Sequence, residues 1–425
     1  MHVHVLGFGA VGSLVSHYLR GALDPKHAVS IIHKSSAAAL RASSLPGVKL
    51  ELGGVTRTQH GVIHESTDPP PTPTSGNKQL ETSMRCRTCR TNHNHHLRRP
   101  STGPRCSRRH TRSLPRLSAA STIVLLHNGM GVYEHLVENV FRNRQTRPHF
   151  VVSVNTHGAF VKSSGHVVHT GVGSIQLGIM HDTHGRDYEA GMDTSLPVDD
   201  QKLSLNDITS LQGDPDVERY LSLRNTISAL TSTTALDISW RPLFDVQLAM
   251  HRKLAVNCVV NPLTALLGCR NGDLFKHQPG SRLAAAICRE ISNVFFAQWQ
   301  QEVWKKLRPH AHADPDSQEE PAADDDEVRQ NILENPFPPS LHQQQLLAEC
   351  ALVAELTREN TSSMLVDVRR SRFTEISYLN GYVLKLAKKY RVNVPVTAAL
   401  IDLIHLREAI PSISQCPCSR CCSAP

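Results

Sequence analysis

The sequence has no long hydrophobic run, since no stretch of 18 consecutive residues among its 425 is apolar throughout. A membrane-spanning helix needs about 20 such residues, so the sequence predicts none. The glycine-rich turn at residues 7–12 begins so early that we expect no signal or transit segment before it. These absences predict a soluble, cytoplasmic protein, and a mitochondrial location would require a start upstream of Met1.

The eleven cysteines lack the regular spacing of a disulfide framework. Four of them are isolated in apolar, helical sequence, and we expect these to be reduced thiols packed in a core. The four are Cys258, Cys269, Cys288 and Cys350. The other seven fall in two unusual segments, at residues 86–106 and 416–422.

The net charge of +8 comes from one segment rather than from the whole chain. Residues 85–116 contain ten arginines and no Asp, Glu or Lys, and without these ten charges the rest of the chain is slightly acidic. The basicity is therefore local, and it gives no reason to assign nucleic acid or a membrane surface as a partner of the fold.

The stretch VLGFGAVGS at residues 5–13 has the glycine spacing of a dinucleotide-binding turn. Apolar residues before it indicate a short strand, and those after it recur at helical spacing. In such a unit Gly7 permits the tight turn, Gly9 lets the backbone approach a pyrophosphate, and Gly12 allows close packing of helix on strand. The alternative is a glycine-rich turn of an α/β domain that holds another ligand.

A second predicted strand, AVSIIH at residues 28–33, ends where a cofactor without a 2′-phosphate would need an acidic residue for its ribose hydroxyl. The chain has His33, Lys34, Ser35 and Ser36 there instead. A cation with neighbouring hydroxyls favours NADP(H) over NAD(H).

The length and a hydrophobic content of 40% suffice for two domains with sizeable cores. Strand-like and helix-like segments alternate up to residue 240, and helical spacing dominates from about residue 243. This order predicts an N-terminal Rossmann-type α/β domain followed by an all-helical domain. The predicted divisions are residues 1–242, residues 243–410 with an acidic, proline-rich insertion at 308–340, and a tail at 411–425.

The sequence also predicts the secondary structure of three shorter segments of the first domain. Residues 47–65 alternate like one or two strands joined at Gly53 and Gly54, and residues 216–240 predict a helix followed by a strand. Residues 183–213 are polar and are expected to be irregular.

The stretch KLAVNCVVN places Lys253, Asn257 and Asn261 at i, i+4 and i+8, which is one face of a helix. A polar stripe among apolar neighbours costs free energy unless something polar meets it. Pro262 follows directly, and we expect it to bend the helix and free a carbonyl nearby. The pattern predicts a helix that lines a cleft, with a solvent-facing stripe as the alternative.

Four segments, in order along the chain, resemble the ketopantoate reductase (2-dehydropantoate 2-reductase) family. They are GFGAVGS, HNGMG, KLAVNCVVNPLTALLGCRNGDL and ENTSSMLVDVRRSRFTEISYLNGYVLKLAKKY. The resemblance covers residues 1–36, 117–180 and 216–408, and implies NADPH-dependent reduction of 2-dehydropantoate to pantoate on the route to pantothenate and coenzyme A. Two alternatives stay open: a non-catalytic NADP(H)-binding regulatory protein, and a reductase of another branched 2-keto acid.

The resemblance also implies roles for individual residues. Lys253 would give a proton to the ketone oxygen as hydride arrives from the nicotinamide, because an ammonium stabilises the negative charge that develops there. Glu375, the second catalytic residue, would lie beside cofactor and substrate and accept hydrogen bonds from their hydroxyl groups. Without the resemblance, an ordinary surface glutamate on a helix is the alternative. The substrate-binding residues would be Asn128, Asn257, Asn261, Asn271 and Ser363. The cofactor-binding residues would be Gly7, Phe8, Gly9, Ala10, Val11, Gly12, Lys34, Asn128, Ala159 and Glu375.

Other partners follow from the same reading. A small 2-keto acid is the expected substrate, no metal is assigned to the site, and a homodimer is left open. His169, in VVHTGVG, is expected to be a packed, hydrogen-bonded histidine without a chemical role.

Residues 67–116 depart from the family pattern. Members of the family have a buried strand and a Thr-Lys motif before HNGMG, and that lysine contacts the cofactor. This chain has no apolar run of strand length over residues 83–117, so a sheet strand and its crossover helix are predicted to be absent. The preceding residues STDPPPTPTSGNK predict a loop or a disordered linker.

Three explanations compete for the arginine-rich segment. A zinc site could use its cysteines and histidines, and the arginines could bind nucleic acid, although no aromatic residue is interleaved for stacking. The third is that residues 78–116 are translated out of frame or across a wrongly assigned exon boundary. We favour the third because the family pattern stops and resumes abruptly, and the cysteine-rich tail raises the same suspicion. The candidate zinc ligands are Cys86, Cys89, His93, His95, His96 and Cys106.

Overall fold

A computed structural model describes five ranges of the chain. They are residues 1–66, 117–193, 195–196, 202–307 and 336–410. The anomalous segment 67–116, the tail 411–425 and the acidic insertion up to residue 335 therefore lie outside the described residues. The predictions made for them stay predictions.

Strands and helices alternate in the N-terminal part. The strands are β1 (His2–Leu6), β2 (Ala28–His33), β3 (Val48–Leu52), β4 (Val55–Gln59), β5 (Val62–Ser66), β6 (Thr122–Leu125), β7 (His149–Asn155), β8 (Gly158–Ser163), β9 (His166–Gly171), β10 (Ile175–Ile179) and β11 (Ile238–Trp240). The helices are α1 (Ala10–Ala22), α2 (Ser36–Ser43), α3 (Val132–Asn139), α4 (Leu205–Ile208) and α5 (Val217–Thr231).

Helices make up the C-terminal part. They are α6 (Leu243–Leu267), α7 (Gln278–Leu307), α8 (Gln343–Leu356), α9 (Ser363–Arg369), α10 (Asn380–Tyr390) and α11 (Pro395–Ala409), with short 3-10 turns between several of them. This confirms the predicted fold class, a Rossmann-type α/β domain followed by a helical domain. No helix among the described residues is long and apolar enough to span a membrane.

The strands form three sheets in the described part of the chain. One is the parallel sheet β1-β2-β5, the second has the order β11-β10-β7-β6, and the third has the order β4-β3-β9-β8. A continuous Rossmann sheet would join the first two, but β1 and β6 are edge strands here. The strand that the sequence predicts to be absent between these edges would belong to residues 67–116, outside the described residues, so its absence stays a prediction.

Residues 47–65 form three strands, so the prediction of one or two was wrong. β3 and β4 form an antiparallel hairpin, and β3 also pairs in parallel with β9. β5 leaves this hairpin and pairs in parallel with β2 in the other sheet. The alternation along these residues is continuous because the chain changes sheet without an intervening helix. The helix and strand predicted over 216–240 are confirmed as α5 and β11, and α4 is the helical turn within the polar stretch 183–213.

Helix α1 connects the glycine turn to the rest of the N-terminal part. Leu14, Val15 and Leu19 on its inner face pack in one core with Ile175 and Leu177 of β10. Such buried side chains each contribute roughly 1.5–3 kcal/mol relative to exposure. The same core contains Val29 of β2, so it holds the sheets of β2 and β10 together although their strands do not pair.

The predicted effect of Pro262 is partly confirmed. Helix α6 runs through Pro262 without ending, because the carbonyl freed by the missing N–H finds another donor. That carbonyl belongs to Cys258, and the buried Asn380 donates to it through Nδ2 at 3.1 Å. The proline thus makes a hydrogen bond possible between α6 and α10.

The predictions for the four core cysteines and for His169 are confirmed. All four thiols are free, and only Cys269 is not fully buried. His169 is buried and lies within hydrogen-bond distance of Tyr18 and His157. The amide of Gly173 donates to His157 Nδ1, so His169 Nε2 must be the donor to that same atom. This fixes the tautomers of His169 and His157, and the absence of a chemical role for His169 stays a prediction.

Candidate active site

A small cleft opens where the C-terminal ends of β6 and β7 meet α6. Ligands of open α/β sheets bind at the carboxyl ends of the strands, so this is the expected position for a site. Its lining residues are His127, Asn128, Gly129, Ser153, Val154, Met250, Lys253, Leu254 and Asn257. The structure therefore brings together three of the predicted site residues, namely Asn128, Lys253 and Asn257.

Lys253 reaches the cleft from the middle of α6. Its ammonium donates to Asn128 Oδ1 at 3.0 Å and to the backbone carbonyl of Asn155 at 2.5 Å. One acceptor follows the end of β6 and the other is the last residue of the neighbouring strand β7, so the sheet itself positions the lysine. An ammonium has three donors, and these two bonds leave one for a ligand in the cleft.

The surroundings of Lys253 change its acidity. Burial lowers the pKa of its ammonium from 10.5 to about 8, because the charged form loses hydration, and the carboxylate of Glu375 opposes part of this effect. A lysine with a pKa near 8 is still mostly protonated at pH 7. It gives up a proton far more readily than an ordinary lysine does.

Asn128 links Lys253 to Glu375. Its Oδ1 accepts from the ammonium, so its Nδ2 is the group that donates to the Glu375 carboxylate. Glu375 lies directly before the 3-10 turn Ile376–Tyr378 in the helical part. One amide of the N-terminal part thus connects an ammonium and a carboxylate that both belong to the helical part.

The pKa of Glu375 is raised, first by burial of the carboxyl in its surroundings and then by repulsion from Asp367. The hydrogen bond from Asn128 and the charge of Lys253 act in the opposite direction. The residue as a whole is exposed, so water that reaches the carboxyl weakens these effects. Glu375 therefore lies at the rim of the site rather than in its interior.

The two glycines of HNGMG hold Glu375 close to Asn128. Gly129 has a φ of 78°, and a Cβ built on it would lie 2.4 Å from the carbonyl oxygen of Tyr378. That same oxygen accepts from the amide of Met130 at 3.0 Å. Gly131, with a φ of 93°, leaves space for the ring of Tyr382, which a Cβ would approach to 2.8 Å. Any side chain here would push the segment after Glu375 away from the cleft.

The structure places the other predicted substrate residues outside the lining of this cleft. Asn261 is buried one turn beyond Asn257 on α6. Asn271 is buried and donates to Thr357 Oγ1 at 3.0 Å, while its Oδ1 has no hydrogen-bond partner among the described residues. Ser363 is exposed in the first turn of α9. Their roles stay predictions.

Sequence reasoning missed two groups of the site. The carbonyl of Asn155 is one, because a backbone acceptor leaves no signal in residue identity. The other is His127, the first residue of HNGMG, whose Nδ1 donates to the carbonyl of Asn128 at 2.9 Å and whose Nε2 has no partner within the described ranges. Burial and, to a smaller degree, the charge of Lys253 lower the pKa of His127, so it presents a neutral imidazole.

The glycine turn has the geometry that its spacing predicts. Gly7 has a φ of 101°, and a Cβ on Gly12 would lie 2.2 Å from the Gly7 carbonyl oxygen, so both positions require glycine. Gly9 begins α1 in extended conformation, and no atom of the described residues lies within 4 Å of a Cβ built on it. Open space therefore faces the amides of the first helical turn, which have no intrahelical acceptor.

The residues that follow β2 differ in their contacts. The His33 side chain is buried and lies 2.9 Å from His64, and Ser35 Oγ caps α2 by accepting from the amide of Ala38. Lys34 is exposed to solvent. Ala159, on β8, packs against the core of the N-terminal part.

Comparisons with known proteins agree with this geometry. The family model described as ketopantoate reductase PanE/ApbA matches residues 110–182, and that of the ketopantoate reductase C-terminal domain matches residues 245–408. The 2-dehydropantoate 2-reductase of Yersinia pestis is 28% identical over 299 residues, which are 70% of this chain and 69% of that protein.

Two solved structures show the same fold. D-mandelate dehydrogenase in a ternary structure with NADH and anilino(oxo)acetate superposes with a TM-score of 0.60 at 16% identity, and covers 96% of this chain and 99% of its own. A PanE/ApbA family ketopantoate reductase of Ralstonia eutropha gives a TM-score of 0.57 at 16% identity, with coverage of 96% and 99%.

The fold and the lysine-centred cleft define a two-domain oxidoreductase, with a Rossmann-type part and a helical part that meet at the site. The matched family models together cover more than half of the chain. The chain belongs to the ketopantoate reductase family.

Proposed function

We propose that this chain catalyses the NADPH-dependent reduction of 2-dehydropantoate to pantoate. The observation that carries the proposal is the ammonium of Lys253, which Asn128 and Asn155 hold in the cleft with one donor left over. We assign the nucleotide to residues 1–242 and most substrate contacts to residues 243–410.

The residues of the glycine turn fit a nicotinamide dinucleotide. The open space beside Gly9 lets a pyrophosphate approach the first amides of α1, and Gly7 and Gly12 give the turn its shape. Lys34, exposed beyond the end of β2, supplies a cation for a 2′-phosphate. When bound, the cofactor supplies the hydride that reduces the ketone.

The residues of the cleft supply the proton. Lys253 donates it to the ketone oxygen as negative charge develops there, and its lowered pKa brings the donor closer to neutral pH. Asn128 and Asn155 keep the ammonium oriented through their two hydrogen bonds. Asn257, one turn along α6 and also in the cleft, is placed to hydrogen-bond the substrate.

Glu375 completes the site from the other side. Through Asn128 it stabilises the protonated lysine, and its remaining oxygen lone pairs can accept from hydroxyl groups of the substrate or the cofactor ribose. Binding roles for Asn261, Asn271, Ser363 and Ala159 rest on the family resemblance. So does the homodimer, which stays a prediction.

The test is to mix the purified full-length chain with NADPH and 2-dehydropantoate and follow nicotinamide absorbance. Lys253→Met should lower kcat by about two to four orders of magnitude, because the general acid is lost, while the affinity for NADPH stays unchanged. Lys385→Met, which removes an exposed lysine of α10, is the matched control. An unchanged rate in Lys253→Met would exclude the lysine as proton donor.

The same assay separates the alternatives. NADPH binding without oxidation by any 2-keto acid would favour the regulatory protein. A higher kcat/KM for another branched 2-keto acid would assign the chain to that substrate.

The preference for NADPH has its own test. Lys34→Ala should raise KM for NADPH and leave KM for NADH nearly unchanged, because only the phosphorylated ribose needs the cation. Lys26→Ala, which removes an exposed lysine before β2, is the control. Equal effects of Lys34→Ala on both cofactors would remove this residue from 2′-phosphate recognition.

A further inference from the structure

Two histidines and a glutamate meet on one face of the parallel sheet β1-β2-β5. His2 Nε2 and His4 Nε2 each lie 3.7 Å from Glu65 Oε1. One potential ligand atom from each of the three residues falls within 4.8 Å of the other two, and no other trio of His, Cys, Asp or Glu in the described ranges does so.

The sheet geometry explains how distant residues converge. His2 and His4 alternate along β1, so both side chains project from the same face, and their rings lie 4.0 Å apart between centroids. The register places His4 beside Ser30 of β2, and Glu65 one strand further on, beside Ile32. Because the serine side chain is short, the glutamate can extend over β2 to the two imidazoles.

We propose that His2, His4 and Glu65 form a binding site for a divalent transition-metal ion, with Zn²⁺ the best fit. Two imidazoles and one carboxylate are a ligand set that zinc accepts, with a further position open to water. Metal–ligand distances of about 2.0–2.1 Å would bring ligand atoms about 3.3 Å apart in a tetrahedron. The observed separations of 3.7 Å require only a small contraction.

The site is accessible and its present contacts are replaceable. The side chains of His2, His4 and Glu65 are 44%, 35% and 25% exposed, so an ion can reach them from solvent. His2 Nε2 also lies 2.6 Å from Ser30 Oγ, and this hydrogen bond would give way to the metal bond. None of these residues lines the cleft, so the inference goes beyond the proposed function and does not depend on it.

Metal binding would join β1 to β5 across β2. β1 is an edge strand in the described part of the chain, and it leads directly into the glycine turn. An ion that binds the folded sheet and not the unfolded chain stabilises the fold. The expected consequence is a zinc-dependent rise in the thermal unfolding midpoint.

The experiment uses the full-length chain without a histidine tag, treated with chelator and then titrated with Zn²⁺ by calorimetry. His4→Gln and Glu65→Gln should each weaken this binding step by at least about tenfold. Loss of a residue that only supports a metal ligand already costs about that much, and loss of a ligand should cost more. His60→Gln, which removes an exposed histidine between β4 and β5, is the matched control and should bind as the parent does. Circular dichroism checks that all variants fold.

Co²⁺ distinguishes this site from one built on the cysteines of residues 86–106 or 416–422. A nitrogen and oxygen site gives visible ligand-field bands without thiolate charge transfer, and these bands should disappear in Glu65→Gln. Identical zinc affinity, stoichiometry and cobalt spectra in the parent, His4→Gln and Glu65→Gln would overturn the proposal, as would cobalt bands of thiolate character alone.

Discussion

Replacement of Glu375 by Gln should move the alkaline limb of the pH–rate profile to lower pH. If Lys253 is the general acid, kcat/KM falls as its ammonium loses the proton, which in the free enzyme occurs at a pKa of about 8. The Glu375 carboxylate stabilises that ammonium. Removal of its charge therefore lowers the pKa of Lys253 further, and the limb moves down.

The size of the shift follows from the geometry. The two charges are separated by one amide, that of Asn128, which corresponds to roughly 6 Å between the charged atoms. Because Glu375 is exposed, an effective dielectric constant of about 40–80 applies, and the interaction is then about 0.7–1.4 kcal/mol. That energy corresponds to a shift of about half to one pH unit.

The assay is kcat/KM for 2-dehydropantoate from pH 5 to 10 at saturating NADPH, with a deuterated cofactor to verify that hydride transfer limits the rate. Asp402→Asn, which removes an exposed carboxylate of α11, should leave the limb at about 8. An acid limb above the ordinary glutamate range is also expected, since the pKa of Glu375 is raised, and it should vanish in Glu375→Gln. An alkaline limb that stays in place or moves up in this variant would refute the reasoning.

Two further predictions concern packing around the site. Gly129→Ala should lower kcat/KM at least about tenfold, because its Cβ would overlap a backbone carbonyl of the segment after Glu375. Gly213 has a similar φ and open space around it, so Gly213→Ala is the control and should leave turnover intact. Asn380→Leu should lower the free energy of unfolding in urea by about 1–2 kcal/mol, because a buried carbonyl on α6 loses its donor. Pro262→Ala should recover part of this loss by restoring the missing N–H, and additive effects would contradict the account.

Local sequence patterns predicted the fold and much of the site. The glycine turn, the strands around it and the helices after residue 243 could be predicted because hydrophobic spacing and glycine stereochemistry act over a few residues. The stripe of Lys253, Asn257 and Asn261 could be predicted for the same reason, since one face of a helix is fixed by spacing alone. The three-stranded arrangement of residues 47–65 could not, because strand pairing depends on partners elsewhere in the chain.

The sequence by itself determined that a strand–turn–helix unit precedes a helical domain, and that a lysine and two asparagines share one helix face. Only the tertiary structure decided which groups meet that lysine: the side chain of Asn128, the carbonyl of Asn155 and, through the amide, Glu375. The physical reason is that a pKa depends on burial and on charges that are close in space. More than 90 residues separate the lysine from each of these partners along the chain, so no local pattern can encode the contact.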